Sequence, residues 1–380
     1  MIKWDSKKLD ELGFVGRGKS KHRPRDASFL YGGKYPFIQT GDVKNANLYV
    51  NSYTQTYSDA GLAQSKLWNK GTLCITIAAN IAETAILDIE ACFPDSIIGF
   101  VADETVADAK FIKYYIDTFK QSLKQISQGA AQDNLNLKKL LSFEFKVPDI
   151  DTQNRIVKVL SSYDDLIENN IRRIKLLEES AELIYKEWFI NLRFPGYEKC
   201  NIEEGMPEGW IKVSVNNILA KHKRKTKVKK EVYLENGNTP VIDQSRSFIG
   251  GYTNDEDAVE ENIPAIIFGD HTRIVKYIDF KFASGADGTQ LIYSNSEKIS
   301  QEYLYFAIKN IDLSDYAYAR HFKYLKQEEI YIPSEKIMKQ FTKISKNILT
   351  QVSILRNQNE KLKEARDIFI PRLISGEIEV

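Results

Sequence analysis

Apolar residues recur at alternating steps of four and three along one long stretch in the middle of the chain. This spacing keeps them on one face of a helix, as a seam that packs against a partner helix. The seam runs from Thr152 to Asn191 through Ile156, Leu160, Tyr163, Ile167, Ile174, Leu177, Ala181, Ile184 and Trp188. Its polar member is Asn170, and such a residue commonly fixes the register of pairing. No proline or glycine interrupts the stretch, so the pattern predicts one continuous helix of roughly 60 Å.

The same alternation returns near the C-terminus and predicts a second long helix. Its seam consists of Ile337, Phe341, Ile344, Ile348, Leu355, Leu362, Ala365 and Phe369, with Gln351 and Gln358 as polar interruptions. Each helix follows a strand-like segment that ends in proline, 143–148 and 330–333. Aligning those prolines places Ser345 and Asn359 at seam positions instead, which predicts a pairing slightly out of register. A whole domain separates these two helices in the sequence. The simplest arrangement is therefore that they pair with each other in antiparallel orientation.

The order of elements is repeated in the two halves of the chain. Each half begins with a tryptophan, Trp4 or Trp210, and continues with a basic loop and an apolar strand that enters a polar turn. These strand-and-turn segments are 36–42 and 240–246; further strands are predicted at 72–78 and 265–269, and helices at 110–123 and 301–311. Any two α/β domains share some of these features, but the matched order favours an internal duplication.

This order predicts an α+β protein. Two globular α/β domains are joined and followed by two long helices that pair as an antiparallel coiled coil. The predicted boundaries are 1–151 for the first globular domain, 152–195 for the central helical region, 196–335 for the second globular domain and 336–380 for the C-terminal helical region. The 380 residues, 43% hydrophobic and 28% charged, suffice for two such domains.

Several functional classes are disfavoured by the composition. The sequence has no apolar run of roughly eighteen residues and no signal-peptide core, so we expect a cytoplasmic protein without a membrane span. Cys74, Cys92 and Cys200 include no C-x-x-C pair, which argues against a disulfide framework or a zinc site. The histidines, His22, His222, His271 and His321, have no metal-ligand spacing. No hydrolase or amino-methyltransferase signature is present, so we expect no catalytic, metal or cofactor site in this chain.

Residues 13–20 (GFVGRGKS) match the phosphate-loop pattern G-x-x-x-x-G-K-S letter for letter. Such a loop needs a buried strand before it and a helix that opens at its lysine. The preceding residues, KKLDEL, are not a buried strand, and Pro24 would stop a helix within one turn. A P-loop nucleotide-binding protein that dimerises through its helices is therefore the weaker alternative.

Two basic loops, 17–25 and 221–230, occupy equivalent places in the two halves and contain no acidic residue. Side chains of this kind neutralise nucleic-acid phosphates without reading sequence. The candidate phosphate contacts are Arg17, Lys19, Lys21, Arg23, Arg25, Lys221, Lys223, Arg224, Lys225 and Lys227. Polar segments beside the predicted strands supply groups that can read base edges: Gln39, Thr40, Asn80, Gln128, Gln132, Asn134, Gln244, Ser245, Arg246, His271, Arg273, Arg320, His321 and Lys323. One charge run alone would more simply be a solvated face, but runs at equivalent places in both halves favour binding to double-stranded DNA.

Four longer segments resemble the specificity (S) subunits of type I restriction-modification enzymes. They are 36–43 (PFIQTGDV), 129–160 (containing GAAQDNLN and FKVPDIDTQNRIVKVL), 164–196 (DDLIENNIRRIKLLEESAELIYKEWFINLRFPG) and 365–378 (ARDIFIPRLISGEI). The junction from the helix into RFPG and the PRLISGEI ending are the most specific. The likeness covers nearly the whole chain.

The resemblance implies two target recognition domains, each reading half of a split, asymmetric DNA site, with the paired helices as a spacer. It implies no activity in this chain. Two modification subunits would bring S-adenosylmethionine and methylate adenine at N6, and restriction subunits would add translocation and cleavage that use ATP and Mg. Base contacts in the family vary with the target, so the DNA-facing residues rest on residue chemistry and position alone. A scaffold that uses its helices only for protein contacts is the remaining alternative.

Overall fold

The boundary between the two units of this chain falls inside its long helices. The computed structural model describes residues 3–78, 80–120, 135–203, 205–286, 288–316 and 320–380. The first unit combines Met1–Ile171 with Asn357–Val380, and the second unit is Arg172–Arg356. Each unit therefore contains one globular domain together with parts of both long helices.

The first unit is built from two sheets, a strand pair and short helices. A five-stranded sheet has the order β2 (Gly13–Arg17), β10 (Ile97–Ala102), β7 (Leu73–Thr76), β8 (Thr84–Leu87) and β4 (Tyr49–Val50). A four-stranded sheet has the order β5 (Gln55–Tyr57), β3 (Tyr31–Phe37), β9 (Ala91–Cys92) and β6 (Leu67–Trp68). β1 (Asp5–Lys8) pairs with β11 (Glu144–Val147). The helices are α1 (Thr40–Asn45), α2 (Asp59–Ala63), α3 (Ala109–Thr118), α4 (Leu137–Leu140) and the start of α5 (Ile150–Tyr185), which continues as a π-helical turn, Lys186–Ile190.

The second unit repeats this plan. A four-stranded sheet has the order β16 (Gly251–Thr253), β15 (Thr239–Ile242), β20 (Phe282–Ser284) and β17 (Val259–Glu260), and a three-stranded sheet has the order β19 (Val275–Ile278), β18 (Ala265–Gly269) and β21 (Thr289–Ile292). Two strand pairs are β12 (Ile202–Glu203) with β13 (Met206–Pro207), and β14 (Ile211–Ser214) with β22 (Glu329–Ile332). The helices are α6 (Gln301–Lys309), α7 (His321–Leu325) and the start of α8 (Glu335–Ile374).

The predicted duplication is confirmed by the shared topology. In each unit the four-stranded sheet contains a parallel strand pair, β3 with β9 in the first and β15 with β20 in the second. In each unit an antiparallel pair, β1 with β11 or β14 with β22, directly precedes the long helix. The predicted helices 110–123 and 301–311 correspond to α3 and α6, with residues 121–123 outside the described ranges.

The core of each unit lies between its helices and the sheet built on β7 or β18. In the first unit Phe111 of α3 clusters with Phe100 and with Leu160 of α5, and in the second Phe306 of α6 clusters with Phe341 of α8. Burial of each such side chain contributes about 1.5–3 kcal/mol. No helix within the described ranges is long and apolar enough to span a membrane.

The nucleotide-binding alternative finds no support in the backbone of residues 13–17. These residues form β2, whose backbone pairs with β10 instead of opening into a loop. Residues 18–27 contain no helix, so no helix N-terminus is available to bind a phosphate.

Within each unit the long helices pair antiparallel, as the seams predict. In the first unit the rings of Tyr163 and Phe369 lie 6.2 Å apart, and further along α5 the side chain of Asn170 contacts Asn359. The partner number falls as the α5 number rises, which defines an antiparallel pair. In the second unit the guanidinium of Arg356 lies 2.6 Å from the carboxylate of Glu178. Further along α5 the ring of Tyr185 lies 6.0 Å from that of Phe341, so the pair is again antiparallel.

The seam of α8 differs from the primary prediction at some positions, each displaced by one residue. Gln351 and Gln358 are exposed, whereas Val352 and Asn359 are buried and Ser345 is 1% exposed. The predicted seam residues Ile337, Phe341 and Leu355 are nevertheless buried, so only some seam positions are displaced. The register obtained by aligning the two prolines is therefore the one the structure adopts, and the prediction that Gln351 and Gln358 lie in the seam is wrong.

The shifted seam buries an asparagine on each helix, and we expect the two to stabilise each other. Asn170 Nδ2 donates to Asn359 Oδ1 over 2.9 Å, and the two residues are 1% and 5% exposed. Asn170→Leu should lower the free energy of unfolding by about 1–3 kcal/mol, because it leaves the buried Asn359 side-chain oxygen without its hydrogen-bond donor. The double variant Asn170→Leu/Asn359→Leu should be near neutral. Urea denaturation of both variants tests this; equal stabilities would contradict it.

Candidate nucleic-acid interface

In the second unit, segments that are far apart in sequence meet where β15 and β18 end. β15 leads into 243–246 and β18 leads into 270–273. Gln244 connects these segments: its side-chain oxygen accepts the His271 amide over 3.0 Å, and its carbonyl accepts the Thr272 hydroxyl over 2.8 Å. Two of the predicted base-reading segments are therefore held side by side.

Asp270 attaches a third predicted segment to the same place. Its carbonyl accepts the His321 amide over 2.8 Å, and its carboxylate accepts the Phe322 amide over 2.8 Å, at the first turn of α7. Its own amide donates to the Gly288 carbonyl over 2.7 Å, just before β21. A single buried aspartate at the end of β18 thus holds the start of α7 and the residue before β21 in place by hydrogen bonds.

The basic loop of the second unit is fixed from its inner side by a buried carboxylate. Glu260 is 2% exposed and lies 3.0 Å from the His222 ring, and it also accepts the Lys225 amide over 3.0 Å. The guanidinium of Arg224 donates to the Thr289 carbonyl over 3.3 Å, beside the segment ends described above. Lys221 and Lys223 project into solvent, so the positive charge of this loop faces outward.

Most of the predicted residues of the second unit are accessible, and His321 is the exception. Arg246, His271, Arg273 and Arg320 are exposed, and so are Lys225 and Lys323, while Gln244, Ser245 and Lys227 are half-buried. His321 is 6% exposed, with its two ring nitrogens 2.9 Å and 2.8 Å from the carbonyl oxygens of Asp270 and Tyr316. The expectation that its ring reads a base is therefore corrected: it holds two backbone segments together.

In the first unit the basic loop begins at the equivalent strand edge. Gly18 donates its amide to the Ile97 carbonyl over 2.9 Å, and Lys19 donates to the Phe93 carbonyl over 3.1 Å. A Cβ at Gly18 would lie 2.3 Å from the Pro94 carbonyl oxygen, so only glycine permits this close approach. The loop therefore leaves β2 flat against the residues that precede β10.

The arginines of this loop are engaged by Asp95 or by the loop's own backbone, and its lysine side chains form no such contacts with described residues. Arg25 pairs with Asp95 at 3.0 Å, Arg17 Nε donates to the Asp95 carbonyl over 2.6 Å, and Arg23 donates to the Ser20 carbonyl over 2.7 Å. Lys19 and Lys21 are exposed and form no ion pair with a described residue. The lysines are thus the better candidates for contact with phosphates.

A further lysine, Lys66, adds positive charge beside this loop. Its ammonium lies 3.7 Å from the Trp68 ring centroid and 4.4 Å from that of Phe14. Burial, together with repulsion from Lys19, lowers the pKa of Lys66. Its role was missed because a single lysine in a polar stretch gives no sequence signal.

The remaining predicted residues of the first unit differ in exposure and in whether their side chains already have partners. Gln39 caps α1 and donates its side-chain amide to Gln55 over 2.6 Å, so its side chain is already engaged. Thr40 and Asn80 are half-exposed. Gln128, Gln132 and Asn134 lie outside the described residues.

Sequence reasoning also missed a buried lysine, Lys276, on β19. The residue is 5% exposed, and its ammonium donates to the carbonyls of Asp243 and Ser247 over 2.8 Å and 2.5 Å. Burial lowers its pKa to about 8, an effect that the neighbouring Asp243 carboxylate opposes. The alternation in VKYI was an available signal, because it places Lys276 on the same strand face as the buried Ile278.

Both strand edges carry exposed lysines, which have the charge to neutralise phosphates, and the second also carries exposed planar donors of the kind that base recognition requires. The part of the chain that the structure describes contains no group of three or more His, Cys, Asp or Glu residues that could hold a metal ion.

Comparisons with known proteins agree with this arrangement. A sequence model described as the type I restriction modification DNA specificity domain matches residues 1–179 and 207–364. The chain is similar to the type I restriction enzyme MjaIX specificity subunit of Methanocaldococcus jannaschii, with 24% identity over 99% of this chain and 94% of that protein. Its fold is similar to the crystal structure of a type I restriction-modification S subunit from M. genitalium. That match has 16% identity and a TM-score of 0.56, and it covers 98% of this chain and 96% of the other.

Proposed function

The chain belongs to the type I restriction modification DNA specificity domain family and is the specificity subunit of such a system; from this premise we propose that each unit reads one half of a split, asymmetric DNA site. The observation that carries the proposal is the convergence of 243–246, 270–273 and α7 on one edge of the second unit. These segments are joined by hydrogen bonds, and they present Arg246, His271 and Arg320 beside a basic loop. A fixed set of planar donors next to phosphate-binding lysines is what sequence-specific binding requires.

The two edges would differ in what they read. The second unit exposes Arg246 and His271, whereas the first has the half-exposed Thr40 and Asn80 at the equivalent strand ends. Arginine reads guanine well and asparagine reads adenine well. An asymmetric site follows, because the same framework carries different side chains in its two copies.

The chemistry of the complex would come from other subunits. We assign to this chain no catalytic residue, and we place it in the cytoplasm with two modification subunits and with restriction subunits. The modification subunits would supply S-adenosylmethionine and methylate adenine at N6; the restriction subunits would use ATP and Mg. Leu176, Leu183 and Ile190 are exposed at steps of seven residues and offer an apolar stripe for a partner helix. The mass of the co-purified complex by analytical ultracentrifugation tests the ratio of two modification subunits to one specificity chain.

Selection of bound sequences from a random DNA duplex library tests whether each unit reads its own half-site. The unaltered chain, purified with its modification subunits, should enrich a bipartite motif. Arg246→Ala/His271→Ala should lower base discrimination by about tenfold or more in one half-site only, since each good base contact is worth about 1–3 kcal/mol. Thr40→Ala/Asn80→Ala should alter the other half-site only. Equal loss in both half-sites from either variant would contradict the proposal, as would an unchanged motif.

A further inference from the structure

Lys276 places an ammonium in the interior of the second unit, on a strand face that buries apolar side chains. It lies on β19 opposite Ile267 of β18, on the face that also buries Ile278. The corresponding strand of the first unit, β8, buries Ala85 and Leu87 in its equivalent cluster. A buried charge costs several kcal/mol unless hydrogen bonds satisfy it, so the partners of this lysine have to be well placed.

The partners are carbonyl groups from a single turn. The Lys276 ammonium donates to the carbonyl oxygens of Asp243, Ser247 and Phe248, over 2.8, 2.5 and 3.3 Å. These residues connect β15 to β16. In the first unit the equivalent segment after β3 contains α1, whose own amides satisfy its carbonyls, as when Ala46 donates to Asp42 over 3.1 Å. Lys276 therefore supplies hydrogen-bond donors to the carbonyls of the second-unit turn, as the amides of α1 do in the first unit.

The turn that Lys276 holds is the one that presents Gln244, Ser245 and Arg246. Asp243 fixes its first half, because its carboxylate accepts the Ser245 amide over 2.9 Å and the Ser245 hydroxyl over 2.5 Å. Lys276 fixes its second half through Ser247 and Phe248. Arg246, exposed between these two anchors, has its backbone set from both sides.

We infer that Lys276 is a positioning residue for DNA specificity, which aims the 244–246 segment at base edges of one half-site without touching DNA. The inference rests on the proposed function and deepens it, since it assigns the geometry of one reading segment to a residue in the interior. Loss of the ammonium removes the donor of three carbonyls at once. The turn would then adopt more than one conformation, and the Arg246 side chain would no longer point in a fixed direction.

The test compares Lys276→Met with Lys281→Met in selection from a random duplex library, using the full chain with its modification subunits. Lys281 is an exposed lysine of the same unit, paired with Glu261 at 2.5 Å, so its replacement changes the net charge equally. Lys276→Met should lower discrimination about tenfold or more at the base positions that Arg246→Ala also affects. The other half-site and the Lys281→Met motif should be unchanged.

The outcomes separate this inference from the function it rests on. If the unaltered chain enriches no bipartite motif, the proposed function itself fails. If it does, and Lys276→Met enriches the same motif, only the role of Lys276 is overturned. Should Lys276→Met lack a folded second unit by thermal melting, Lys276→Gln takes its place, because glutamine keeps two N–H donors but is too short to reach all three carbonyls. An unaltered motif from that variant overturns the inference, and a loss confined to the Arg246 positions supports it.

Discussion

Arg366→Met is expected to destabilise the first unit by about 3–5 kcal/mol, because it leaves a carboxylate buried without its charged partner. Asp164 of α5 is 0% exposed and forms an ion pair with the guanidinium of Arg366 on α8. The same carboxylate accepts the Tyr114 hydroxyl over 2.5 Å and the Asn47 side-chain amide over 3.2 Å. Burial, together with the Asp164 charge, raises the pKa of Tyr114 well above its usual value, so Tyr114 stays a donor. Neither neutral donor replaces the lost positive charge.

Denaturation with guanidinium chloride measures the change in the free energy of unfolding, and hydrogen exchange of the β7 and β10 amides reports on the first unit locally. Arg372→Met is the matched control, since its partner Glu377 lies 3.0 Å away in a pair exposed by 46% and 61%. That control should cost no more than about 0.5 kcal/mol. Arg366→Met/Asp164→Leu should recover most of the loss, because no unpaired charge remains. Equal stabilities of Arg366→Met and Arg372→Met would contradict the argument.

Apolar periodicity predicted both long helices and their antiparallel pairing, but it misplaced some positions of one seam by a residue. Counting apolar residues favoured Ile344 over its neighbour Ser345 as a seam residue, yet Ser345 is buried and Ile344 is 36% exposed. The serine is tolerated inside because its hydroxyl donates to the Phe341 carbonyl over 2.9 Å, one turn earlier. Asn359 is tolerated because Asn170 faces it. A count of apolar residues cannot detect these two hydrogen bonds. The first depends on local helix geometry, and the second depends on a residue far away in sequence.

The candidate site could be predicted as segments but not as side chains. The basic loops and the polar turns after the strands have composition and position that sequence shows directly. Whether a given side chain is free depends on partners distant in the chain: Arg25 is paired with Asp95, and His321 is enclosed by Asp270 and Tyr316. The alternation in VKYI indicates that Lys276 faces inward, but its carbonyl partners come from the turn after β15, far away in sequence.

The four-lysine variant Lys19→Ala/Lys21→Ala/Lys221→Ala/Lys223→Ala should weaken DNA binding on the order of a thousandfold at about 0.1 M salt. Each phosphate contact that a lysine provides contributes about 0.9 to the slope of log affinity against log salt, so losing four makes the slope shallower by about 3.6. The loss should be similar for target and non-target duplexes, because phosphate contacts carry no sequence information. Fluorescence anisotropy titrations over a range of salt concentrations measure both quantities.

The matched control replaces four exposed lysines of α8, Lys336, Lys343, Lys346 and Lys361, with alanine. Both variants lose the same net charge, so a general electrostatic effect on binding would appear in both. Contact at the basic loops predicts a shallower salt slope for the loop variant alone, since counterions are released only where lysines meet phosphates. Identical slopes in the two variants would mean that DNA does not lie against the loops. A steep loss for target duplexes alone would mean that these lysines read bases, and the division between phosphate-contacting loops and base-reading turns would then be wrong.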